Sequence, residues 1–307
     1  IAVARIVASE IGLDATSIAA ALLHDVVEDN SNYTYDMLEE ACGRDVSRIV
    51  KGLTKIGKLN AENKVSLQAE NFRKMLLTIN EDVRVIIIKI ADRLHNMQTM
   101  SNIRPEKQVK IASETLYIYA PLAHRIGLYN IKTELEDLGL KYTEPEMYNL
   151  IVAKKEESKE EQNEYIKAFS EALQKAMTKE KINCIIKGRP KSIYSIRNKM
   201  RKQNISYQEV YDKFAMRIIY KSKEKNEKFL AWKIYSIITD EYTPNPTRLR
   251  DWISAPKSTG YEALHITVMG PQGKWIEIQI RSERMNEVAE KGYAAHYKYK
   301  NNGEEDN

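Results

Sequence analysis

The sequence is poor in cysteine and has no long apolar run. Its 307 residues include two cysteines, Cys42 and Cys184, without C-x-x-C spacing. A disulfide framework and a structural zinc site are therefore excluded, and a reducing compartment is favoured. A membrane span needs about eighteen consecutive apolar residues, and no stretch of the sequence reaches that length. The first residues also lack the succession of basic, apolar and small residues that is typical of a signal peptide. These absences predict a cytoplasmic protein without a membrane partner.

The sequence also has little net charge. The formal charge of +5 is too low for a protein that coats nucleic acid. Its distribution is uneven, because residues 1–180 carry 24 Lys and Arg against 28 Asp and Glu, whereas residues 181–307 carry 24 against 15. The length of 307 residues suits two domains. The two domains are therefore expected to differ in electrostatic character.

Apolar spacing predicts an α+β fold with two domains. From Ile1 to about Glu180 the apolar residues recur at helical intervals, which predicts an almost wholly helical first half. Later residues alternate short β-prone runs with helices, and they predict strands at 181–187 and 214–220, a hairpin at 261–280, and helices at 223–241 and 282–300. We expect a helical domain at 1–150, a linker at 151–180 and a mixed α/β domain at 181–307.

Two further features concern the linker and the start of the chain. Lys154–Glu164 consists almost wholly of charged and amide residues, which predicts an exposed helix between the domains. The chain begins inside an apparent amphipathic helix and has no initiator methionine, which predicts a fragment of a longer protein.

The helical half contains a pattern typical of a metal site. His24 and Asp25 stand together in an apolar helical segment, with Glu28 and Asp29 one turn later. About 60 residues on, Asp92 lies in an equally apolar helix, together with His95 and Asn96 on one face. A buried carboxylate costs several kcal/mol unless a cation or a donor meets it.

A divalent ion held by His24, Asp25 and Asp92 would satisfy all three side chains. Manganese, magnesium and iron all suit such ligands. Glu28 and Asp29 would then serve proton transfer to and from an attacking water. The alternative is an accidental His-Asp pair and an ordinary ion pair between Asp92 and Arg93.

The second half contains a pattern typical of phosphate binding. From Lys187 to Arg217 there are nine Lys and Arg but only two acids, Glu209 and Asp212. Arg189 and Lys191 lie in an apparent tight turn before a predicted helix, where free backbone N–H groups favour phosphate. A solvated helix face is the alternative.

A second acid and an aromatic residue complete this pattern. Glu277 and Gln279 share one face of an alternating strand. Two strand carboxylates, Asp212 and Glu277, among cations are typical of Mg²⁺ bridging a triphosphate. Tyr261, after the flexible Gly260, has a ring suited to stacking on a base. A nucleic-acid-binding protein with purely structural acids remains a second hypothesis, and nucleotide sensing at silent sites a third.

These constellations occur within a set of longer motifs: Leu23-His24-Asp25-Val26-Val27-Glu28-Asp29, Ala91-Asp92-Arg93-Leu94-His95-Asn96, Tyr119-Ala120-Pro121-Leu122-Ala123-His124-Arg125, Gly188-Arg189-Pro190-Lys191, Ile193-Tyr194-Ser195-Ile196, Gly260-Tyr261 and Glu277-Ile278-Gln279-Ile280-Arg281. In this order, they closely resemble the catalytic half of the Rel/SpoT family of bifunctional alarmone enzymes. The resemblance covers essentially the whole chain.

The resemblance implies an HD-type hydrolase domain that removes the 3′-pyrophosphate of (p)ppGpp with Mn²⁺. His24, Asp25 and Asp92 match metal ligands, and Glu28 and Asp29 match the acids that activate water. A nucleotide contact is implied for Asn96 and Thr99. A further metal-ligating histidine, part of a His-Pro pair, falls two residues before Ile1 in this comparison.

The resemblance also implies a nucleotidyltransferase-like synthetase that moves pyrophosphate from ATP to the 3′-OH of GDP or GTP with Mg²⁺. Asp212 and Glu277 match the metal-binding and catalytic acids, with Glu277 as the base for the 3′-OH. Arg189 and Arg217 resemble the pair around adenine. Further nucleotide contacts are implied for Lys191, Ser195, Lys199, Arg250, Lys257, Tyr261 (stacked on guanine) and His265.

The sequence departs from the family pattern at two positions. Ser192 stands where histidine is frequent, and Glu262 where glutamine is usual. The stretch Arg248–Asp251 resembles the basic version found in bifunctional enzymes. The implied partners are ATP, GDP or GTP and (p)ppGpp, with no nucleic acid bound directly. A ribosome contact is expected only through C-terminal domains that lie outside this sequence.

Overall fold

The chain folds into two compact units, a helical one and one built on a sheet. The computed structural model describes residues 1–58, 82–210 and 213–292. The units divide between Gly139 and Leu140. The predicted α+β fold class is confirmed. None of the described helices is long and apolar enough to cross a membrane.

The first unit is built from helices. They are α1 (Ala2–Arg5), α2 (Ala15–Leu22), α3 (Val26–Asp29), α4 (Tyr35–Cys42), α5 (Arg44–Lys58), α6 (Val83–Gln98), α7 (Pro105–Glu114), α8 (Ala120–Arg125) and α9 (Tyr129–Thr143), with π-helical segments at Ile6–Ile11 and Thr115–Tyr119 and a 3-10 turn at Met100–Asn102.

Helix α6 lies at the centre of the first unit. Its N-cap is Asp82, whose side chain accepts a hydrogen bond of 3.0 Å from the N–H of Arg84. Ile86–Ile88 and Ile90 are at most 1% exposed, so the helix is enclosed by apolar neighbours. Asp92 follows on this helix, and its side chain is only 18% exposed. A charged group is thus placed beside an apolar core.

The predicted helix around His24 and Asp25 is wrong in one respect. Helix α2 ends at Leu22, and His24 and Asp25 form a turn before α3. The His24 ring nitrogen Nδ1 lies 2.8 Å from the carbonyl oxygen of Ala21. This side-chain contact competes with continuation of the helix at the Ala21 carbonyl. The turn places both side chains at a helix end.

The second unit contains a five-stranded sheet with flanking helices. Its elements are α10 (Pro145–Glu157), α11 (Lys159–Lys179), β1 (Cys184–Pro190), α12 (Ile193–Gln203), β2 (Phe214–Tyr220), α13 (Glu227–Glu241), β3 (Arg250–Asp251), β4 (Leu264–Met269), β5 (Trp275–Ser282) and α14 (Glu283–Lys291), with 3-10 turns at Glu224–Asn226, Pro246–Arg248 and Pro271–Gly273.

The strand order is β1-β2-β5-β4-β3. Strands β2 and β5 are parallel, whereas the other neighbouring pairs are antiparallel. The predicted hairpin is confirmed as β4 and β5. Gly188–Pro190, predicted as a turn, belongs to β1 instead. A Cβ at Gly188 would lie 2.6 Å from Cγ2 of Ile166, so glycine allows β1 to pass close to α11.

One face of the sheet carries the hydrophobic core. Met216, Ile218, Ile278 and Ile280, each 0% exposed, belong to it. Helices α11 and α13 supply further residues of this core, such as Phe169, which is 1% exposed. Because side chains alternate along a strand, the remaining residues of these strands face the other side.

The boundary between the units differs from the predicted linker at 151–180. Helix α11 buries four residues at helical spacing, namely Tyr165, Phe169, Leu173 and Met177. They join the core of the sheet, so this helix is part of the second unit. The charged stretch Lys154–Glu164 is mostly exposed to solvent, which explains its composition. It belongs to helices of the second unit and does not form a separate linker.

Replacing Phe169 by alanine tests this assignment. We expect a loss of about 3–5 kcal/mol in the unfolding free energy of the sheet unit, because a buried aromatic side chain leaves a cavity. Urea unfolding followed by tryptophan fluorescence measures it, since all three tryptophans lie in this unit. Glu171→Ala, at an exposed position of the same helix, is the control. Equal stability of both variants would contradict a packing role for α11.

Candidate functional site

The turn after α2 places His24 beside each of the two other predicted metal ligands, Asp25 and Asp92. His24 Nε2 lies 2.8 Å from Asp25 Oδ2 and 3.9 Å from Asp92 Oδ1. Because Nδ1 faces the carbonyl of Ala21, that nitrogen carries the proton and donates it. The lone pair of Nε2 in the neutral ring is therefore directed at the two carboxylates. A backbone carbonyl on the other ring nitrogen is the usual support of a metal-bound histidine.

His24, Lys89 and Asn96 contact the two carboxylates of this trio. The hydrogen bond that His24 donates to Asp25 when protonated is the main cause that raises the pKa of His24, and the same bond lowers the pKa of Asp25. The Lys89 ammonium lies 3.4 Å from Asp92 Oδ2, and Asn96 donates to Asp92 Oδ1 at 3.2 Å. An imidazole nitrogen together with hard carboxylate oxygens fits a divalent cation.

The trio alone is not a complete metal site. In the described ranges, no group of three or more His, Cys, Asp or Glu side chains converges closely enough to hold an ion. His24 Nε2 lies 3.9 Å from Asp92 Oδ1. Two ligands of one ion, each about 2.1 Å from it, lie up to about 4.2 Å apart, so this separation is compatible with a shared cation.

The remaining predicted hydrolase residues lie near the trio along the chain. Glu28 and Asp29 are exposed on α3, and their backbone N–H groups donate to the carbonyl of Asp25 at 3.1 and 2.8 Å. Thr99 caps the end of α6, and its hydroxyl donates to the carbonyl of His95 at 3.0 Å. The structure thus fixes these residues on the same turn and helix as the trio.

The second site lies on the sheet face opposite the core. Strand pairing aligns polar residues across all five strands in one row: Lys187, Arg217, Gln279, His265 and Arg250. The next row contains Arg189, Ala215, Glu277 and Thr267. Cross-strand partners share a face. The sheet therefore gathers residues that are up to about 90 positions apart in sequence.

Three of these side chains, Glu277, Gln279 and His265, form a closed ring of polar contacts with Arg281 and Tyr261, here called the Glu277 ring. Gln279 Nε2 donates to Glu277 Oε1 at 2.9 Å, and Arg281 donates to Gln279 Oε1 at 2.8 Å. Arg281 also donates to the hydroxyl of Tyr261, which lies 2.8 Å from His265 Nε2. His265 Nδ1 closes the ring at 3.5 Å from Glu277 Oε1.

The donors in the Glu277 ring determine the protonation of His265. Arg281 can only donate, so the Tyr261 hydroxyl accepts from it and donates to His265 Nε2. The proton of the neutral imidazole is then on Nδ1, facing Glu277. Burial lowers the pKa of His265 to about 4, which keeps the ring neutral near pH 7. A neutral histidine thus connects Tyr261 to Glu277.

The ring of Tyr261 is covered in this structure. Tyr261 is 7% exposed, with the Lys257 ammonium 5.0 Å and the Arg281 guanidinium 4.9 Å from its ring centroid. The predicted stacking on a base is therefore not open in this conformation. Gly260, at φ +74°, adopts the left-handed backbone directly before Tyr261. The segment Lys257–Tyr261 also closes a turn, because the Lys257 N–H donates to the Tyr261 carbonyl at 3.1 Å.

Arg189 and Arg217 lie close enough to affect each other. Burial and the charge of Arg217 lower the pKa of Arg189. Arg217 Nη1 donates to Glu290 Oε1 at 2.6 Å and to Asn286 Oδ1 at 3.3 Å. The predicted arginine pair is thus a region of concentrated positive charge with one acidic neighbour from α14.

The predicted phosphate contacts surround the start of α12. Ser192 is the N-cap, accepting from the N–H of Ser195 at 3.2 Å, and the two hydroxyl oxygens lie 2.8 Å apart. The Lys191 carbonyl accepts from the Lys155 ammonium at 2.7 Å. Lys199 lies one turn after Ser195 on this helix.

Two other predicted residues have different surroundings. Arg250 is exposed on β3 and donates to the carbonyls of Thr247 and Leu249 at 3.0 and 2.8 Å. Asp212 lies outside the described residues.

Sequence reasoning missed the residues that hold the loop of Tyr261. Arg284 donates to Glu262 at 2.9 and 3.0 Å and to Glu227 at 3.0 and 2.6 Å. Glu227 is 4% exposed, so this pairing satisfies a buried carboxylate. Glu262 thus has a structural partner at a position where a glutamine was expected. The pairing joins separate elements, so no local sequence signal reveals it.

Two protein families match separate parts of the chain. Residues 1–129 match the family described as an HD domain, and residues 188–304 match the region found in RelA and SpoT proteins. Both regions imply the use of divalent metal ions.

Three curated relatives are similar over nearly the whole chain. The bifunctional (p)ppGpp synthase/hydrolase SpoT of Escherichia coli (strain K12) is 41% identical over 304 residues, 99% of this chain and 42% of that protein. The GTP pyrophosphokinase of Myxococcus xanthus is 40% identical over 294 residues, 95% of this chain and 38% of that protein. The guanosine-3′,5′-bis(diphosphate) 3′-pyrophosphohydrolase of Aquifex aeolicus is 42% identical over 293 residues, 95% of this chain and 41% of that protein.

The chain therefore spans less than half the length of these relatives. The order of the two matched regions follows the order of the two units, helical first and sheet second. This chain belongs to the RelA/SpoT family, with an HD domain in its helical unit and a RelA/SpoT region in its sheet unit.

Proposed function

We propose that this chain makes and degrades the same guanosine nucleotide. The sheet unit transfers pyrophosphate from ATP to the 3′-OH of GDP or GTP, and the helical unit hydrolyses the 3′-pyrophosphate of (p)ppGpp. The observation that carries the synthetase is Glu277, a carboxylate fixed among buried cations on one sheet face. The names of the relatives, which include both a synthase/hydrolase and a pyrophosphokinase, support the same pair.

In the synthetase, Glu277 accepts the proton of the 3′-OH. The 3′-oxygen forms a bond to the β-phosphorus of ATP, the bond from that phosphorus to the α–β bridging oxygen breaks, and AMP leaves with the electron pair. Gln279 holds Oε1 of Glu277 at 2.9 Å and thereby orients the carboxylate. An oriented base within reach of the hydroxyl is the requirement for general-base catalysis.

The basic residues of the sheet unit bind the two nucleotides. Arg189 and Arg217 take the adenine of ATP, and the phosphates contact Lys191, Ser195, Lys199, Arg250 and Lys257. Tyr261 and His265 receive the guanosine nucleotide. Because Lys257 covers the Tyr261 ring at 5.0 Å, binding of guanine requires this ammonium to move toward the phosphates.

Asp212 and Glu277 would hold the Mg²⁺ of the synthetase. Carboxylate oxygens are the ligands that Mg²⁺ prefers beside phosphates. The cation supplies neutralisation of charge on the transferred pyrophosphate. The arginines of the same sheet face add fixed positive charge.

In the hydrolase, His24, Asp25 and Asp92 would hold Mn²⁺. The cation supplies Lewis acidity for attack on phosphorus. The contact from His24 Nδ1 to the Ala21 carbonyl fixes the imidazole, and Asn96 fixes Asp92. Glu28 and Asp29 exchange protons with the attacking water, and Asn96 and Thr99 contact the nucleotide. Since the substrates are cellular nucleotides, both reactions belong to the cytoplasm in this proposal.

Replacing Glu277 by glutamine tests the synthetase. We expect the rate of pyrophosphate transfer to fall by about 10²–10⁴-fold, because glutamine keeps the shape but cannot accept the proton. Formation of AMP and of the 3′-pyrophosphorylated product from ATP and GDP with Mg²⁺ measures it. Glu283→Gln, at an exposed position at the start of α14, is the control. A Glu277→Gln rate equal to that of the control would overturn the role of this base.

Binding of Mn²⁺ tests the helical site without an activity assay. We expect His24→Ala and Asp92→Asn to weaken binding of Mn²⁺ at least tenfold, because His24 and Asp92 are ligands in this proposal. The control His124→Ala is expected to leave the affinity unchanged, because His124 is not a ligand. Electron paramagnetic resonance of free Mn²⁺ measures the affinity.

The same titration has an expected pH dependence. The pKa of His24 is raised, so its proton must leave before the ring nitrogen binds the ion. Affinity is therefore expected to rise with pH until that raised pKa is passed, by up to about tenfold per unit. Equal affinity of the native chain at pH 6 and pH 8 would argue against His24 as a ligand.

A further inference from the structure

The Arg217 side chain is anchored at Nη1 by two residues of helix α14. Its side chain is 12% exposed on β2, and Nη1 bonds Glu290 and Asn286 of α14. Its Nε is buried and has no hydrogen-bond partner within the described part of the chain. A buried N–H without a partner is costly, so the contacts at Nη1 are the side-chain hydrogen bonds that hold this guanidinium in the described part of the chain.

Helix α14 fixes the acidic partner. Asn286 and Glu290 are four residues apart, so they lie on the same helix face. The helix begins immediately after β5, where the hydroxyl of its N-cap Ser282 accepts from the N–H of Met285 at 3.1 Å. Because β5 pairs with β2, the start of this helix is fixed relative to the strand of Arg217.

The contact at Nη1 fixes the plane of the Arg217 guanidinium group. A carboxylate at 2.6 Å makes a charge-assisted hydrogen bond, which is shorter and stronger than a neutral one. Guanidinium groups stack on flat aromatic rings as well as pairing with anions. Holding Nη1 therefore orients the two flat faces of Arg217.

The contact also offsets charge repulsion. Arg189 has its pKa lowered by burial and by Arg217, and Glu290 acts in the opposite direction. Without that carboxylate, two guanidinium groups would lie near each other with less compensation. A loss of the negative charge is thus expected to disorder the pair.

We propose that Glu290 is a positioning residue for the donor nucleotide: it orients Arg217 so that the guanidinium stacks on the base of ATP. This inference rests on the proposed function, in which Arg189 and Arg217 take the adenine. The opposite reading is that Glu290 competes with ATP for Arg217. The two readings predict changes of opposite sign in the affinity for ATP.

Glu290→Gln separates these readings, because glutamine keeps the length and an acceptor oxygen but removes the charge. We expect the KM for ATP to rise about tenfold, the size of one charge-assisted hydrogen bond, with kcat and the KM for GDP changed less than about twofold. Glu287→Gln, on the same helix and paired with Lys291 at 3.1 Å, is the matched control. An unchanged or lower KM for ATP would overturn the proposal.

Arg217→Lys provides a second measurement. Lysine keeps the charge but lacks the flat group, so Glu290→Gln should have no further effect on the KM for ATP in that background. An equal effect in both backgrounds would show that Glu290 acts without Arg217 and would overturn the proposal. Thermal unfolding of each variant confirms that the fold is retained.

Calorimetric binding of a non-hydrolysable ATP analogue separates this proposal from the proposed function. A native chain that does not bind the analogue would overturn both. Native binding with equal affinity in Glu290→Gln would overturn only the role of Glu290.

Discussion

The two faces of the sheet impose opposite requirements on its residues. One face supplies the core, whereas the other carries charged and polar side chains that are nearly as buried, such as Gln279 at 9% and Arg281 at 2% exposed. A buried charge without a partner costs several kcal/mol. The side chains on that face must therefore bond one another, and they do so in the closed Glu277 ring and in the contact of Arg217 with Glu290. Their orientations are fixed by burial before any nucleotide binds.

This constraint explains why the ring of Tyr261 is covered. Arg281 bonds the neutral Tyr261 hydroxyl and the Gln279 amide, and an aromatic face also attracts a cation. Lys257 and Arg281 both lie about 5 Å from its centroid. A polyphosphate is a stronger partner for either cation than an aromatic ring. In the proposed function, binding of the phosphates and uncovering of the ring are thus coupled by charge.

The sequence predicted local elements and strand faces well, because both follow from residue spacing. The 214–220 strand and the shared face of Glu277 and Gln279 are examples. It did not predict the parallel pairing of β2 with β5, which depends on residues about 60 positions apart. The turn at His24 was missed because the ring bonds a backbone carbonyl that a regular helix would use itself. The place of α11 was missed because the charges before it outweighed the apolar spacing that starts at Tyr165.

The pKa shifts in the two units have opposite electrostatic signs. In the helical unit, the hydrogen bond of His24 with Asp25 is the main cause that raises the pKa of the imidazole, and the nearby Asp92 acts in the same direction. In the sheet unit, burial and neighbouring arginines lower the pKa values of Arg189 and Arg281. The local field therefore favours added positive charge beside His24 and added negative charge beside the arginines. The cation and the polyphosphate of the proposed function match these two signs.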